Sequence, residues 1–134
     1  MKAVLFMTRK EAREQAFVLI FEKMFRDDSP EEILEYAEEI REIEIDDYSK
    51  EVFLGVCEKC EELDGEISGH LKNWKIERIS KVALAILRLA VYEIKFIESV
   101  PESVSINEAV ELSKKFSVSD DASLVNGVLG NIVK

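Results

Sequence analysis

The sequence predicts an all-α fold, a compact bundle of about six to seven helices in two packed three-helix halves. Three observations predict it. Apolar residues recur at three- and four-residue spacing along nearly the whole chain. Helix-start signals fall between those stretches. Five glycines and two prolines in 134 residues are too few for an all-β chain full of tight turns. A break in the pattern near residues 70–78 divides the halves. The length suits one domain, spanning residues 1–134, and 47% hydrophobic residues can furnish a core.

The first helix is expected over about residues 8–25, where Ala12, Ala16, Ile20 and Met24 lie four apart beside Phe17, Phe21 and Phe25. In the second, Ser29 caps, Pro30 takes the first helical position and Glu32 closes a capping box. That helix is expected to reach about Ile43, burying Ile33, Ala37 and Ile40. Asp46 or Asp47 caps a third, longer helix whose stripe is Tyr48, Val52, Val56, Cys60, Leu63 and Ile67. Ile79, Val82, Ile86, Ala90 and Ile94 mark a further helix reaching about Ile97, before Pro101 interrupts. Ser105-Ile106-Asn107-Glu108 reads as a capping box for the next. Ser119-Asp120-Asp121 caps the last, which carries Val125, Val128, Leu129 and Ile132 and runs through Asn126-Gly127. Gly127 there reads as room for a neighbouring helix.

Composition excludes several functions. No apolar run is long enough to span a membrane. The start lacks a secretory cleavage pattern, and two cysteines in an unsecreted chain imply reduced thiols, so the expected setting is cytoplasmic. Cys57-Glu58-Lys59-Cys60 matches C-x-x-C, yet no strand precedes it and no second ligand pair exists, so two ordinary, partly buried thiols are expected. His70, the single histidine, has no partner nucleophile at a suitable spacing. The paired carboxylates lack metal-loop spacing, and no glycine-rich phosphate cradle occurs. Neither catalysis nor a cofactor or metal is expected.

Charge is unevenly spread. Residues 1–25 hold five bases and three acids, residues 26–66 four bases and 17 acids, and residues 67–134 nine bases and eight acids; the whole chain carries −10. The acidic middle is either a solvated helix face or a surface for a basic partner. Thr8-Arg9-Lys10-Glu11-Ala12-Arg13 gathers three bases at a helix start, where cations oppose the helix dipole. A placement that does not favour stability suits phosphate contact. Ser117-Val118-Ser119-Asp120-Asp121 is a polar joint between helices, a place where exposed functional groups gather.

Three stretches resemble the NusB family of transcription antitermination factors. The first is Arg9-Lys10-Glu11-Ala12-Arg13-Glu14-Gln15-Ala16. The second runs from Trp74 to Glu93 and includes Leu87-Arg88-Leu89-Ala90-Val91-Tyr92-Glu93. The third is Ile106-Asn107-Glu108-Ala109-Val110-Glu111-Leu112, then Lys115-Phe116, then Val125-Asn126-Gly127-Val128-Leu129. The resemblance implies a partner, NusE, the small-subunit ribosomal protein. It implies binding of boxA-type single-stranded RNA in nascent ribosomal RNA transcripts, and entry into the RNA polymerase antitermination complex. It implies no membrane role. RNA contacts would come from Arg9, Lys10 and Arg13, and from Lys114, Lys115, Asp120, Ser123 and Leu124. The acids Glu31, Glu35, Glu38 and Glu42 would face the partner. Residues 1–7 would form a disordered extension.

The chain departs from the family pattern at Glu11, where Arg is frequent, at Ser117, where Gly is usual, and at Leu124, where Phe is frequent. Asp121 adds a second charge beside Asp120. All four changes point to weaker RNA binding by the lone chain. Two alternatives share or replace this reading: a NusB-like helical adaptor without an RNA role, or an isolated RNA-binding domain of the rRNA cytosine methyltransferase type.

Overall fold

The computed structural model describes residues 6–117 and 120–134. Among them lie seven α-helices and no strand: α1 (Arg9–Lys23), α2 (Pro30–Glu39), α3 (Asp47–Glu58), α4 (Cys60–Gly69), α5 (Lys81–Phe96), α6 (Glu102–Phe116) and α7 (Asp121–Ile132). A short 3-10 turn, Ile76–Arg78, precedes α5.

Two capping boxes start the chain's first two helices. Thr8 Oγ1 accepts from Glu11 N at 3.1 Å, and Thr8 N donates to Glu11 Oε1 at 2.9 Å. Ser29 and Glu32 repeat the arrangement around Pro30, as their spacing predicts. Glu11 is therefore committed to holding the start of α1. The backbone N–H of Thr8 holds its carboxyl below the ordinary value.

Helix α5 is the centre of the molecule. Ala83, Leu84, Ala85, Ile86, Leu87, Leu89, Ala90 and Val91 are all buried, so the helix is apolar almost all round, as a core helix must be. It packs against α1, α3, α4, α6 and α7. One continuous core, including Phe17, Ile33, Phe53, Leu63, Ile86 and Leu129, joins the two halves through it. At Gly55 on α3 a side-chain carbon would lie 2.1 Å from Tyr92 Oη on α5, so only glycine admits that ring. Gly127, in contrast, has open space where a side chain would stand, which corrects the expected close helix approach there.

Three boundaries differ from the sequence reading. The long third helix is two helices, broken at Lys59 (φ −99°, ψ 13°). The apolar stripe crosses that break: Val52, Val56, Leu63 and Ile67 stay buried, so periodicity could not reveal it. Helix α2 ends at Glu39; Glu42 beyond it adopts φ 53°, in the left-handed region, which stops a helix. Helix α6 starts a turn earlier than its Ser-x-x-Glu signal. Pro101 at φ −61° is its N-cap, and Ser105 becomes a buried interior residue whose Oγ has no hydrogen-bond partner among the described residues. Residues 1–5 lie outside the described residues, whereas Met7 packs against the core.

Candidate nucleic-acid interface

The start of α1 meets α3 and α6. Arg9 is exposed, and its guanidinium lies 3.7 Å from the centroid of the Tyr48 ring on α3. Lys10 reaches Glu108 on α6 at 3.3 Å, and Lys115, near the end of α6, reaches Glu14 at 2.8 Å. Lys114 pairs within its own helix with Glu111 at 3.7 Å. Lys10, Arg13, Glu14, Glu108, Glu111 and Lys115 line one shallow groove between α1 and α6. The structure thus brings together the bases from the two ends of the sequence, but each of these lysines already faces a carboxylate.

The structure departs from the sequence reading at Arg13. Its side chain is buried, and its Nε donates to both oxygens of Glu93 on α5 at 3.0 Å. Tyr48 Oη donates to the same carboxylate. Burial, and then the bond to Glu93, pushes the Tyr48 phenol well above its ordinary value. Arg13 is a structural cation inside the bundle, not a surface base. Its partner lies 80 residues away in sequence, beyond what helix spacing reports.

A second groove, of about 510 Å³, lies between the segment before α5 and the start of α7. Trp74, Arg78, Ser80, Asp120, Asp121 and Leu124 line it. An adjoining one, of about 220 Å³, is lined by Lys72, Trp74, Ser123 and Leu124 among others. Leu124 lines both grooves, with Asp120 in the larger and Ser123 in the smaller. Asp120 sits at the N-cap of α7, but its side chain makes no capping bond, which corrects the expectation of an Asp120 cap. Asp121 is the anchoring acid: its Oδ2 accepts from Ser80 Oγ and from Ser117 Oγ, each at 2.6 Å. Ser80 Oγ in turn accepts from Ala83 N and caps α5. Ser117 thus ties the joint to α7, where glycine could not. Val118 and Ser119, the rest of that joint, lie outside the described residues.

Trp74 is the residue that motif reasoning left without a role. It is 58% exposed and stands between the two grooves. The signal was available: the chain's single tryptophan, amid Lys72, Lys75 and Arg78, in the segment where apolar periodicity fails.

The acidic candidates lie elsewhere. Glu31, Glu35 and Glu38 share the outer side of α2 by their spacing, and Glu42 follows the helix. Glu35 lines a shallow groove with Arg26, Asp28, Tyr36, Glu39 and Ile40. Arg41 joins that region to α1 through Glu22 at 2.8 Å. Glu22 is about 20 Å along the helix axis from Arg9. The acidic and basic surfaces thus occupy opposite ends of α1.

Neither thiol nor histidine forms a reactive site. Burial pushes the Cys57 thiol up to about 11, away from the thiolate, and raises Cys60 too. His70 Nδ1 lies 2.9 Å from Glu66 O at the end of α4. No group of three metal-ligating side chains occurs among the described residues, and no helix there is long and apolar enough to cross a membrane.

Comparison with known proteins assigns this architecture. The NusB family model matches residues 10–134. The chain belongs to the NusB family. The transcription antitermination protein NusB of Clostridium botulinum (strain Loch Maree / Type A3) is 45% identical, covering 95% of this chain and 100% of its own. That of Clostridium novyi is 38% identical, covering 96% and 99%. Among solved structures, T. maritima NusB superposes with TM-score 0.82 at 32% identity, covering 96% of this chain and 92% of that one. A crystal structure of antitermination factors NusB and NusE in complex with dsRNA gives TM-score 0.80 at 31% identity, covering 92% and 94%. The bundle described above is thus the NusB fold.

Proposed function

We propose that this chain is a transcription antitermination factor that acts with NusE, the basic small-subunit ribosomal protein. The pair binds boxA-type RNA in nascent ribosomal RNA transcripts and joins the RNA polymerase antitermination complex. It holds RNA and partner without catalysing a reaction, and it works in the cytoplasm.

The observation that carries this reading is the exposed Trp74, which shares a groove with Arg78 and Leu124. An exposed ring flanked by cations suits an unpaired base and its phosphates, because every base presents a stacking face. Arg9, Lys10, Lys114 and Lys115 supply phosphate contacts. Asp120 and Ser123 offer hydrogen-bonding groups beside the ring. Relatives named for antitermination, and a neighbour solved with NusE and dsRNA, support the same assignment.

The net charge of −10 explains why a partner is needed. Phosphate neutralisation supplies most non-specific RNA affinity, and this chain has little cationic surface to spare. The acids Glu31, Glu35, Glu38 and Glu42 steer a basic partner toward the chain.

A gel-shift assay with purified NusE and boxA-type RNA tests the proposal. The heterodimer should bind that RNA more tightly than a scrambled one, and Trp74→Ala should weaken it by about 1–3 kcal/mol with the fold intact. Equal affinity for the scrambled RNA would leave the reading of an isolated RNA-binding domain, and no shift with NusE present would leave the adaptor reading.

A further inference from the structure

We propose that Tyr48 is a positioning residue for RNA binding: its ring holds the Arg9 guanidinium in place at the start of α1. The inference rests on the RNA reading above and adds a residue from α3 that no sequence pattern connects to RNA.

The geometry is specific. The guanidinium carbon of Arg9 lies 3.7 Å from the Tyr48 ring centroid, the spacing of a face-on cation–π stack. The ring itself cannot swing away. Tyr48 is buried in the first turn of α3, and its hydroxyl donates to Glu93, which is held in turn by Arg13 from α1. Glu93 and Arg13 are both buried, so the platform is anchored in the core. Ser49 adds a further tie, its Oγ donating to Ala12 O at 2.7 Å.

Arg9 and Arg13 are four residues apart on one helix, yet they treat the same tyrosine differently. Arg13 fixes the edge of the ring through Glu93, and Arg9 lies on its face. An exposed arginine ordinarily loses much rotamer freedom when it grips a phosphate. Stacked on a fixed ring, the Arg9 guanidinium is ordered beforehand, and its N–H edge remains free to donate to a phosphate oxygen in the guanidinium's own plane. The Arg13–Glu93–Tyr48 network therefore serves RNA binding without touching RNA.

The test uses the full chain with NusE and a fluorescein-labelled boxA-type RNA. Arg9→Gln should weaken binding and reduce the salt slope by about 0.7. Tyr48→Leu should weaken binding about three- to tenfold when Arg9 is present, and by no more than about twofold in the Arg9→Gln background. Tyr48→Phe keeps the ring and should restore affinity to within about twofold of the wild type. An equal loss from Tyr48→Leu in both backgrounds would overturn the proposal, because it would mark a purely structural effect. A wild-type measurement covers the case in which Tyr48→Leu does not fold. The Arg9 side-chain protons should be shifted upfield by the ring current in the free protein, and random-coil shifts would overturn the stack. If Arg9→Gln weakens RNA binding while a folded Tyr48→Leu does not, the positioning role alone falls. If Arg9→Gln changes nothing, the RNA reading at Arg9 falls with it.

Discussion

Lys115 Nζ lies 2.8 Å from Glu14 Oε1, so the end of α6 is clasped to the second turn of α1 by an ion pair at the surface. Lys10 and Glu108 form a second clasp in the same groove. A phosphate approaching either lysine would meet the negative charge of its carboxylate partner as well. Each pair contributes little to stability, about 0–1 kcal/mol, because solvent screens exposed charges.

Glu14→Gln should therefore free Lys115 at almost no structural cost. Its melting temperature should stay within about the shift that 0.5 kcal/mol produces. RNA affinity of the heterodimer should rise, most strongly at low salt, where screening is weak. A Glu98→Gln control makes the same charge change away from this groove. An equal rise in both variants would assign the gain to net charge rather than to the clasp.

Arg13→Gln should behave as a core substitution. It leaves Glu93 buried without its cation, a loss of about 3–5 kcal/mol in urea denaturation. Arg9→Gln and Lys10→Gln should each stay within about 0.5 kcal/mol of the wild type. Equal stability of all three would show that Arg13 is not the buried cation described.

At the joint before α7, the two neighbouring acids should separate cleanly. Asp121→Ala removes the acceptor of two hydroxyl bonds and should cost about 1–3 kcal/mol, charge-assisted bonds being the stronger class. Asp120→Ala, with no capping bond to lose, should cost under about 0.5 kcal/mol. Thermal melts of the two single variants decide this, and a larger loss at Asp120 would reverse the assignment.

The pH dependence of folding carries the mark of Cys57. Its folded pKa is raised to about 11 by burial. The unfolded thiol ionises near its ordinary value, about 8.5. The unfolded state therefore sheds its proton first. The stabilisation is whole below the unfolded value and is lost as pH climbs through the folded one. Urea midpoints should fall across that alkaline window, and Cys57→Ala should show a shallower fall over the same range. Parallel profiles would show that other groups set the slope.

The sequence made one kind of feature legible and hid another. The Ser29–Glu32 box was readable because both partners lie within one turn of each other. The α2 and α5 stripes were readable because period alone puts Ile33 and Ala37, or Ile86 and Ala90, on one face, but Ile40, expected to be buried with Ile33 and Ala37, lies past the end of α2 and is exposed. Arg13 was misread because its partner Glu93 comes from another helix, and a single arginine on a mixed face looks solvent-exposed until that helix is placed. Ser105 and Asp120 show a related limit. Each has a capping residue's identity at a plausible position, but Pro101 starts α6 earlier and Asp121 takes the bonds at α7. Trp74 needed the converse information. Its neighbour Leu124 comes from α7, and only the packing of the α5 approach against that helix makes the pair a groove.

The central position of α5 has a consequence for how the molecule opens. Both halves use the same helix as their inner wall, so neither keeps a complete core if the other comes apart. Amide protons along Ala83–Val91 should then exchange with solvent only through whole-molecule opening, while those of α2, packed at one edge, exchange through cheaper local excursions. The rim of the bundle should thus open around an axle that stays closed.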